Sequence, residues 1–159
     1  MPLHEGMVGM LLEREEVNPD KPDNRDQTPL SLAAQNGHQE VVKILLGRDG
    51  VNPDKPDRAG LTPLAWAAWM GHEGVVKILL GREEVDPDRG SNFGQTPLAY
   101  AAKRGHEGVV KALLQREEVN PNRPTRTSNT PLKQATRGGY MKVVALLQPH
   151  DKTITPSAS

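Results

Sequence analysis

The chain has 159 residues, 35% hydrophobic and only 3% aromatic, which is thin for a globule built on one central core but sufficient for a stack whose layers bury small aliphatic side chains against each other. Twenty basic residues balance twenty acidic ones, so no global field draws the chain toward nucleic acid or anionic lipid. There is no cysteine, hence no disulfide or thiolate metal site, and neither a membrane-spanning apolar run nor a signal-peptide pattern in Met1 to Leu12, which together point to the cytoplasm with the nucleus left open.

In chain order, the first patterned residues are His4-Glu5-Gly6, which align with His72-Glu73-Gly74. The chain therefore opens at the second helix of a helical pair, with Met7, Val8, Met10 and Leu11 exposed, as expected of a fragment cut from a longer protein. Thr-Pro-Leu then recurs at Thr28, Thr62, Thr96 and Thr130, always 34 residues apart, the mark of one supersecondary unit copied and stacked. In each copy the threonine hydroxyl suits a helix N-cap, and the proline suits the first helical position, where a missing N–H costs nothing. A helix of about two turns is predicted to follow, carrying Ala33-Ala34, Ala67-Ala68 or Ala101-Ala102 for close approach to the next layer. Gly37, Gly71, Gly105 and Gly139 should end it in the left-handed conformation. A second helix starts near His38, His72, His106 or Tyr140 and presents Val-Val and Leu-Leu pairs, as Val42, Leu45 and Leu46 do at i, i+3, i+4. Runs such as Val51-Asn52-Pro53-Asp54-Lys55-Pro56-Asp57 are turn chemistry.

The pattern Gly-x-Thr-Pro-Leu-x-x-Ala-Ala-x-x-Gly-His-x-x-Val-Val-x-x-Leu-Leu resembles the ankyrin repeat, over nearly the whole chain. That resemblance implies an all-α solenoid of antiparallel helix pairs with hairpin-like loops projecting at about a right angle. The expected units are a partial repeat over 1–23, repeats over 24–57, 58–91 and 92–125, a degenerate or capping repeat over 126–149, and a tail over 150–159. Arg14-Glu15-Glu16-Val17-Asn18-Pro19-Asp20 looks like the variant found in long arrays of filamentous fungi, which often follow a nucleotide-binding signalling module. Residues 71–85 and 105–119 agree at 13 of 15 positions, pointing to tandem duplication. The last copy has Ser128 in place of Gly60 and Gly94, and Gln134 at the core-facing position of Leu32, Trp66 and Tyr100.

No catalytic, cofactor or metal site is expected. His38, His72 and His106 lie one helical layer apart, roughly 8–10 Å, too far to share one ion, and read better as hydrogen-bonding devices tying turn to turn. His150, in the tail, has no evident partner. Glu15-Glu16, Glu83-Glu84 and Glu117-Glu118 each follow an arginine and lack a calcium-loop pattern, so they read as a solvated rim. Phosphate loops and nucleophile elbows are absent, so an enzyme is not expected.

Partners are bound, as the resemblance implies, by loop tips and the exposed side of the first helix, which line a concave groove. The tips are Asn24, Arg25 and Gln27; Arg58, Ala59 and Leu61; Asn92, Phe93 and Gln95; Arg126, Thr127 and Asn129. The helix positions are Gln35 and Asn36; Trp69 and Met70; Lys103 and Arg104; Arg137 and Gly138. The groove is expected to run from polar, through an apolar part with Leu61, Trp69, Met70 and Phe93, to a basic part with Lys103, Arg104, Arg126 and Arg137. Trp66 and Tyr100 divide between burial and partner contact, whereas Trp69 is expected to point outward with no role in the fold. Exposed aromatics beside arginine have the composition of an interface hot spot. The expected function is a non-catalytic protein-interaction module, part of a larger signalling or receptor-like protein, holding a protein or peptide with an apolar anchor and an acidic flank. The expected partner is neither nucleic acid nor membrane, and the chain is expected to be a monomer. The alternative is a structural spacer or self-associating array, pairing end to end through its first helix.

Overall fold

The computed structural model of the chain describes residues 17–152, together with Gly6 and Met10. Met10 is exposed; the other apolar residues of the opening segment, His4 and the Glu15-Glu16 pair lie outside the described residues. Eight helices follow in four antiparallel pairs: α1 (Pro29–Gln35) with α2 (Gln39–Leu46), α3 (Pro63–Met70) with α4 (Glu73–Leu80), α5 (Pro97–Arg104) with α6 (Glu107–Leu114), and α7 (Pro131–Gly138) with α8 (Met141–Leu147). A 3-10 turn, Gln148–His150, closes the series, and no strand occurs among the described residues. No helix among them is long and apolar enough to cross a membrane.

Each first helix starts as its residues dictate. Thr28, Thr62, Thr96 and Thr130 sit in extended backbone, and each side-chain oxygen accepts from the amide three residues on, at 3.1 to 3.3 Å. Proline occupies the next position, already at a helical φ. Four glycines then turn the chain, Gly37, Gly71, Gly105 and Gly139, with φ of 74°, 81°, 76° and 72°. A side chain there would be strained by the backbone alone. Space also forbids one: a Cβ on Gly37 would lie 2.7 Å from the His72 ring, and one on Gly71 2.6 Å from the His106 ring. The Tyr140 ring covers Gly105 in the same way.

Those rings also carry hydrogen bonds between layers. His72 Nε2 donates to the Gln35 carbonyl and His106 Nε2 to the Trp69 carbonyl, both at 2.9 Å. The histidine row is thus the turn-to-turn device expected from its spacing, and each bond satisfies a carbonyl that the end of a short helix leaves open.

First helices pack closely on one another because Ala34, Ala67, Ala68, Ala101, Ala102 and Ala135 are buried between them. Leu30, Leu64 and Leu98, with Val42, Val75, Val76, Val109 and Val110, complete the core between the two helical layers. Leu32, Trp66 and Tyr100 are not part of it, contrary to the core-facing position expected for them. Leu32 is 38% exposed, and Trp66 and Tyr100 belong to a separate small cluster with Leu61 and Ala65 near the base of the loops. The reason is rotational: these residues sit on the loop-facing side of the first helix, away from the second helix of the pair.

The loops between pairs carry a ladder. Asn18, Asn52, Asp86 and Asn120 each accept the amide two residues on, at 2.9 to 3.0 Å, which makes the tight turn. Lys55, Arg89 and Arg123 then each reach back 35 residues to Asp20, Asp54 and Asp88, with nitrogen–oxygen distances of 3.0, 2.9 and 3.0 Å. In the last loop Asn122 replaces the aspartate and donates to the His150 carbonyl at 2.6 Å. His150 is therefore held through its backbone, where no partner was expected. Glu84 and Glu118 pair with Arg82 and Arg116, all at the surface, and Arg116 also donates to the Leu80 carbonyl of the preceding pair.

Burial pushes the carboxyl groups of Asp54 and Asp88 above the ordinary aspartate range, outweighing the neighbouring Arg89 and Arg123. A carboxyl that holds its proton more tightly when folded contributes stability below its unfolded pKa and loses it as pH rises through its folded pKa. Replacing both by asparagine, the residue found at 122, removes that dependence. The stability of the Asp54→Asn/Asp88→Asn variant relative to the parent should therefore rise as pH is raised from about 3 to 7. Urea unfolding at each pH checks this, and a difference that stays flat or falls would contradict it.

Candidate functional site

Each loop is closed by one polar side chain at its start. In the first two copies it is an aspartate: Asp23 Oδ1 accepts from the Arg25 and Gln27 amides, and Asp57 Oδ1 from those of Ala59 and Leu61. In the last two it is a hydroxyl, Ser91 accepting from Phe93 N and Thr125 from Asn129 N. The loop geometry survives, as the backbone bonds Asp23 N–Gln27 O, Asp57 N–Leu61 O, Ser91 N–Gln95 O and Thr125 N–Asn129 O all measure 2.9 to 3.0 Å. The charge does not survive. No acidic residue occurs between Asp88 and Glu107 or between Glu118 and Asp151.

The loop turn needs a left-handed residue, Gly60 (φ 79°) and Gly94 (φ 71°) in the middle copies. Asp26 (φ 60°) and Ser128 (φ 58°) hold the same conformation in the outer ones, so loss of the glycine leaves the turn intact. Successive loops are joined by single backbone bonds, Arg58 N to Arg25 O, Asn92 N to Ala59 O and Arg126 N to Phe93 O.

Between these loops and the first helices lies a mostly apolar groove of about 570 Å³. Leu61, Trp66, Trp69, Phe93, Tyr100, Lys103 and Arg126 line it, all expected from the sequence, joined by Gln95, Ala59, Thr125 and Thr127. Its wall is a three-ring stack. Trp69 of α3 lies 5.4 Å from Trp66 and 5.0 Å from Tyr100 of α5, centroid to centroid, with interplanar angles of 7° and 13°. The stack is anchored at both ends: Trp66 Nε1 donates to Asp57 Oδ2 at 3.0 Å, and the Tyr100 hydroxyl to Ser91 Oγ at 3.1 Å. Burial raises the Tyr100 pKa, with Asp57 adding in the same direction, so the hydroxyl stays a donor. Arg104 adds a cation–π contact to the central ring, with its guanidinium carbon 5.6 Å from the Trp69 centroid.

Three expected site residues are thereby corrected. Trp69 is half-buried in the stack, so it does have a role in the fold. Leu61 is 2% exposed and forms part of the groove's floor, because it packs beneath the rings instead of standing at the loop tip. Arg58 is absent from the groove lining and pairs with Asp26 at 3.1 Å. Met70 is exposed but also outside the groove. Phe93 is the free aromatic of the region, 63% exposed at the groove's edge. Gln95, expected only as one loop-tip residue among many, lines both this groove and a neighbouring cavity of about 300 Å³ that also contains Lys103 and Arg137.

The electrostatic setting is one-sided. Ion pairs are common elsewhere among the described residues, yet Lys103, Arg104, Arg126 and Arg137 form none. Arg137 makes one long hydrogen bond, 3.4 Å, to Asn129. A chain of zero net charge therefore keeps four unneutralised cations around one apolar groove, which gives a local positive field.

A family model described as ankyrin repeats (3 copies) matches residues 3–90 and again residues 83–157. No curated protein compared with the chain matches it.

The stack and the free ring should separate in stability. Trp69→Ala removes the central ring and is expected to cost about 2 kcal/mol, whereas Phe93→Ala is expected to fall within about 0.5 kcal/mol of the parent. Chemical unfolding followed by circular dichroism measures both. A Trp69→Ala variant as stable as the parent would show that the stack contributes nothing to the fold.

Proposed function

The chain belongs to the ankyrin repeat family, and on that premise we propose that it is a non-catalytic binding module that holds a protein or peptide segment in the groove beside the Trp66–Trp69–Tyr100 stack. Repeats of this family are generally protein-interaction modules and generally non-catalytic. The observation that carries the proposal for this chain is the pairing of an apolar groove with four cations that form no ion pair among the described residues. A fold gains nothing from unneutralised charge on one face, whereas an acidic partner does. Phe93 and the edge of the stack supply the surface for an apolar anchor, the usual centre of an interface hot spot. Lys103, Arg104 and Arg126 supply the rim for an acidic flank. The near identity of residues 71–85 and 105–119 supports a second reading, a spacer or self-associating array, because duplication preserves stacking without selecting a groove.

Capture of partners on the immobilised chain, followed by titration of each purified partner, tests the first reading. Phe93→Ala and Arg126→Ala, which leave the stack untouched, are each expected to weaken a groove partner at least ~10-fold, and added salt to slow its association. Binding unaffected by either substitution would overturn the groove as the binding surface. Dimers that grow with concentration and ignore Phe93 would favour the second reading instead.

A further inference from the structure

The groove does not end at Lys103. The cavity next to it is the same pocket one repeat further along, with different walls. Ala59, Leu61, Trp66 and Trp69 supply the first pocket's inner wall, and 34 residues on Phe93, Gln95, Tyr100 and Lys103 face them. A further 34 on, the same places hold Thr127, Asn129, Gln134 and Arg137, which with Gln95 and Lys103 line the second cavity. The position that held a stacked indole in the first pocket is thus a cation on both sides of the second.

Two further features single this cavity out. Gln134 is 9% exposed, and its Oε1 is buried without a hydrogen-bond partner; the Gln95 Oε1 is in the same state. Leaving a buried polar atom unpaired is costly, and here two such amides meet two unneutralised cations around about 300 Å³. A terminal amide turned over about its last bond offers either its oxygen or its N–H2 group, so the pair can meet a backbone N–H or a carboxylate oxygen. A free anion would satisfy the cations and an amide N–H2 group but bring no donor for an amide oxygen. A peptide brings both.

We propose that the second cavity receives the carboxylate of an aspartate or glutamate side chain between Lys103 and Arg137, on the same extended segment whose apolar residue occupies the first groove. This rests on the groove reading above and adds a spacing to it. Neighbouring layers lie roughly 8–10 Å apart, and an extended chain advances about 3.3 Å per residue, so the acid stands about three residues from the apolar anchor.

Panning a library of short random peptides on the full chain, with counter-selection on Phe93→Ala, tests the spacing and the groove separately. Phe93-dependent peptides are expected to carry an aromatic or large aliphatic residue with Asp or Glu about three positions away. Synthetic copies should lose at least ~10-fold when that acid becomes asparagine or glutamine, when it is moved several positions outward, or when the chain carries Arg137→Ala, a substitution at an exposed position. Phe93-dependent peptides with no acid at a fixed spacing, or indifferent to Arg137→Ala, would overturn the second-cavity assignment and leave the groove standing. Failure to select any Phe93-dependent peptide would overturn both.

Discussion

One contact recurs between the layers of this molecule and sets the rest in place: an aromatic or imidazole ring lying on the left-handed glycine of the preceding copy. The glycine is required twice over, once by its φ and once by the ring that fills the space of a side chain. In the two histidine copies with described partners the ring also donates to a carbonyl of the preceding first helix. Because ring and glycine come from adjacent copies, the contact fixes how one pair of helices sits on the next. The first helices then approach closely with alanines buried between them, and the loops fall into line for the aspartate–cation ladder.

With stacking secured by so few positions, the loop-facing side of the first helices is left to vary, and there the copies differ in a graded way. At the position of Trp66 the series runs Leu32, Trp66, Tyr100, Gln134, and the loop residue beneath runs Asp23, Asp57, Ser91, Thr125. The two changes are coupled, since the Trp66 indole finds a carboxylate and the Tyr100 hydroxyl finds a hydroxyl. Exchanging aspartate for serine and threonine keeps each loop closed while removing a negative charge from the part of the molecule where Lys103 and Arg126 lie. A local positive field thus arises from a loop-capping choice as much as from the cations themselves.

What could be read in the sequence was what depends on one copy at a time. The threonine caps, the proline starts, the left-handed glycines and the role of the histidine row all follow from residue chemistry at fixed offsets, and the family match over residues 3–157 agrees with them. Trp69 was misread because its environment is made by a residue 31 positions away, Tyr100, on the next first helix. Leu61 was misread for the same reason, as a loop residue turned under rings from two copies. The aspartate ladder left a visible signal, a cation 35 residues after each of Asp20, Asp54 and Asp88, but only when neighbouring copies are compared with an offset of one. The orphaned amides of Gln95 and Gln134 left none, since hydrogen-bond satisfaction is a property of packed atoms.

The ring-on-glycine contact between Gly71 and His106 also touches the groove, because His106 donates to the carbonyl of Trp69. A double-mutant cycle of Gly71→Ala and His106→Ala, measured by urea unfolding and read in parallel by tryptophan emission, therefore tests directly whether layer stacking positions the stack. The added methyl should be far less damaging once the ring is gone, with a coupling of at least ~1 kcal/mol, and His106→Ala alone should shift the emission to the red. Strictly additive losses with unchanged emission would contradict the claim that this contact holds the layers and, through them, the groove.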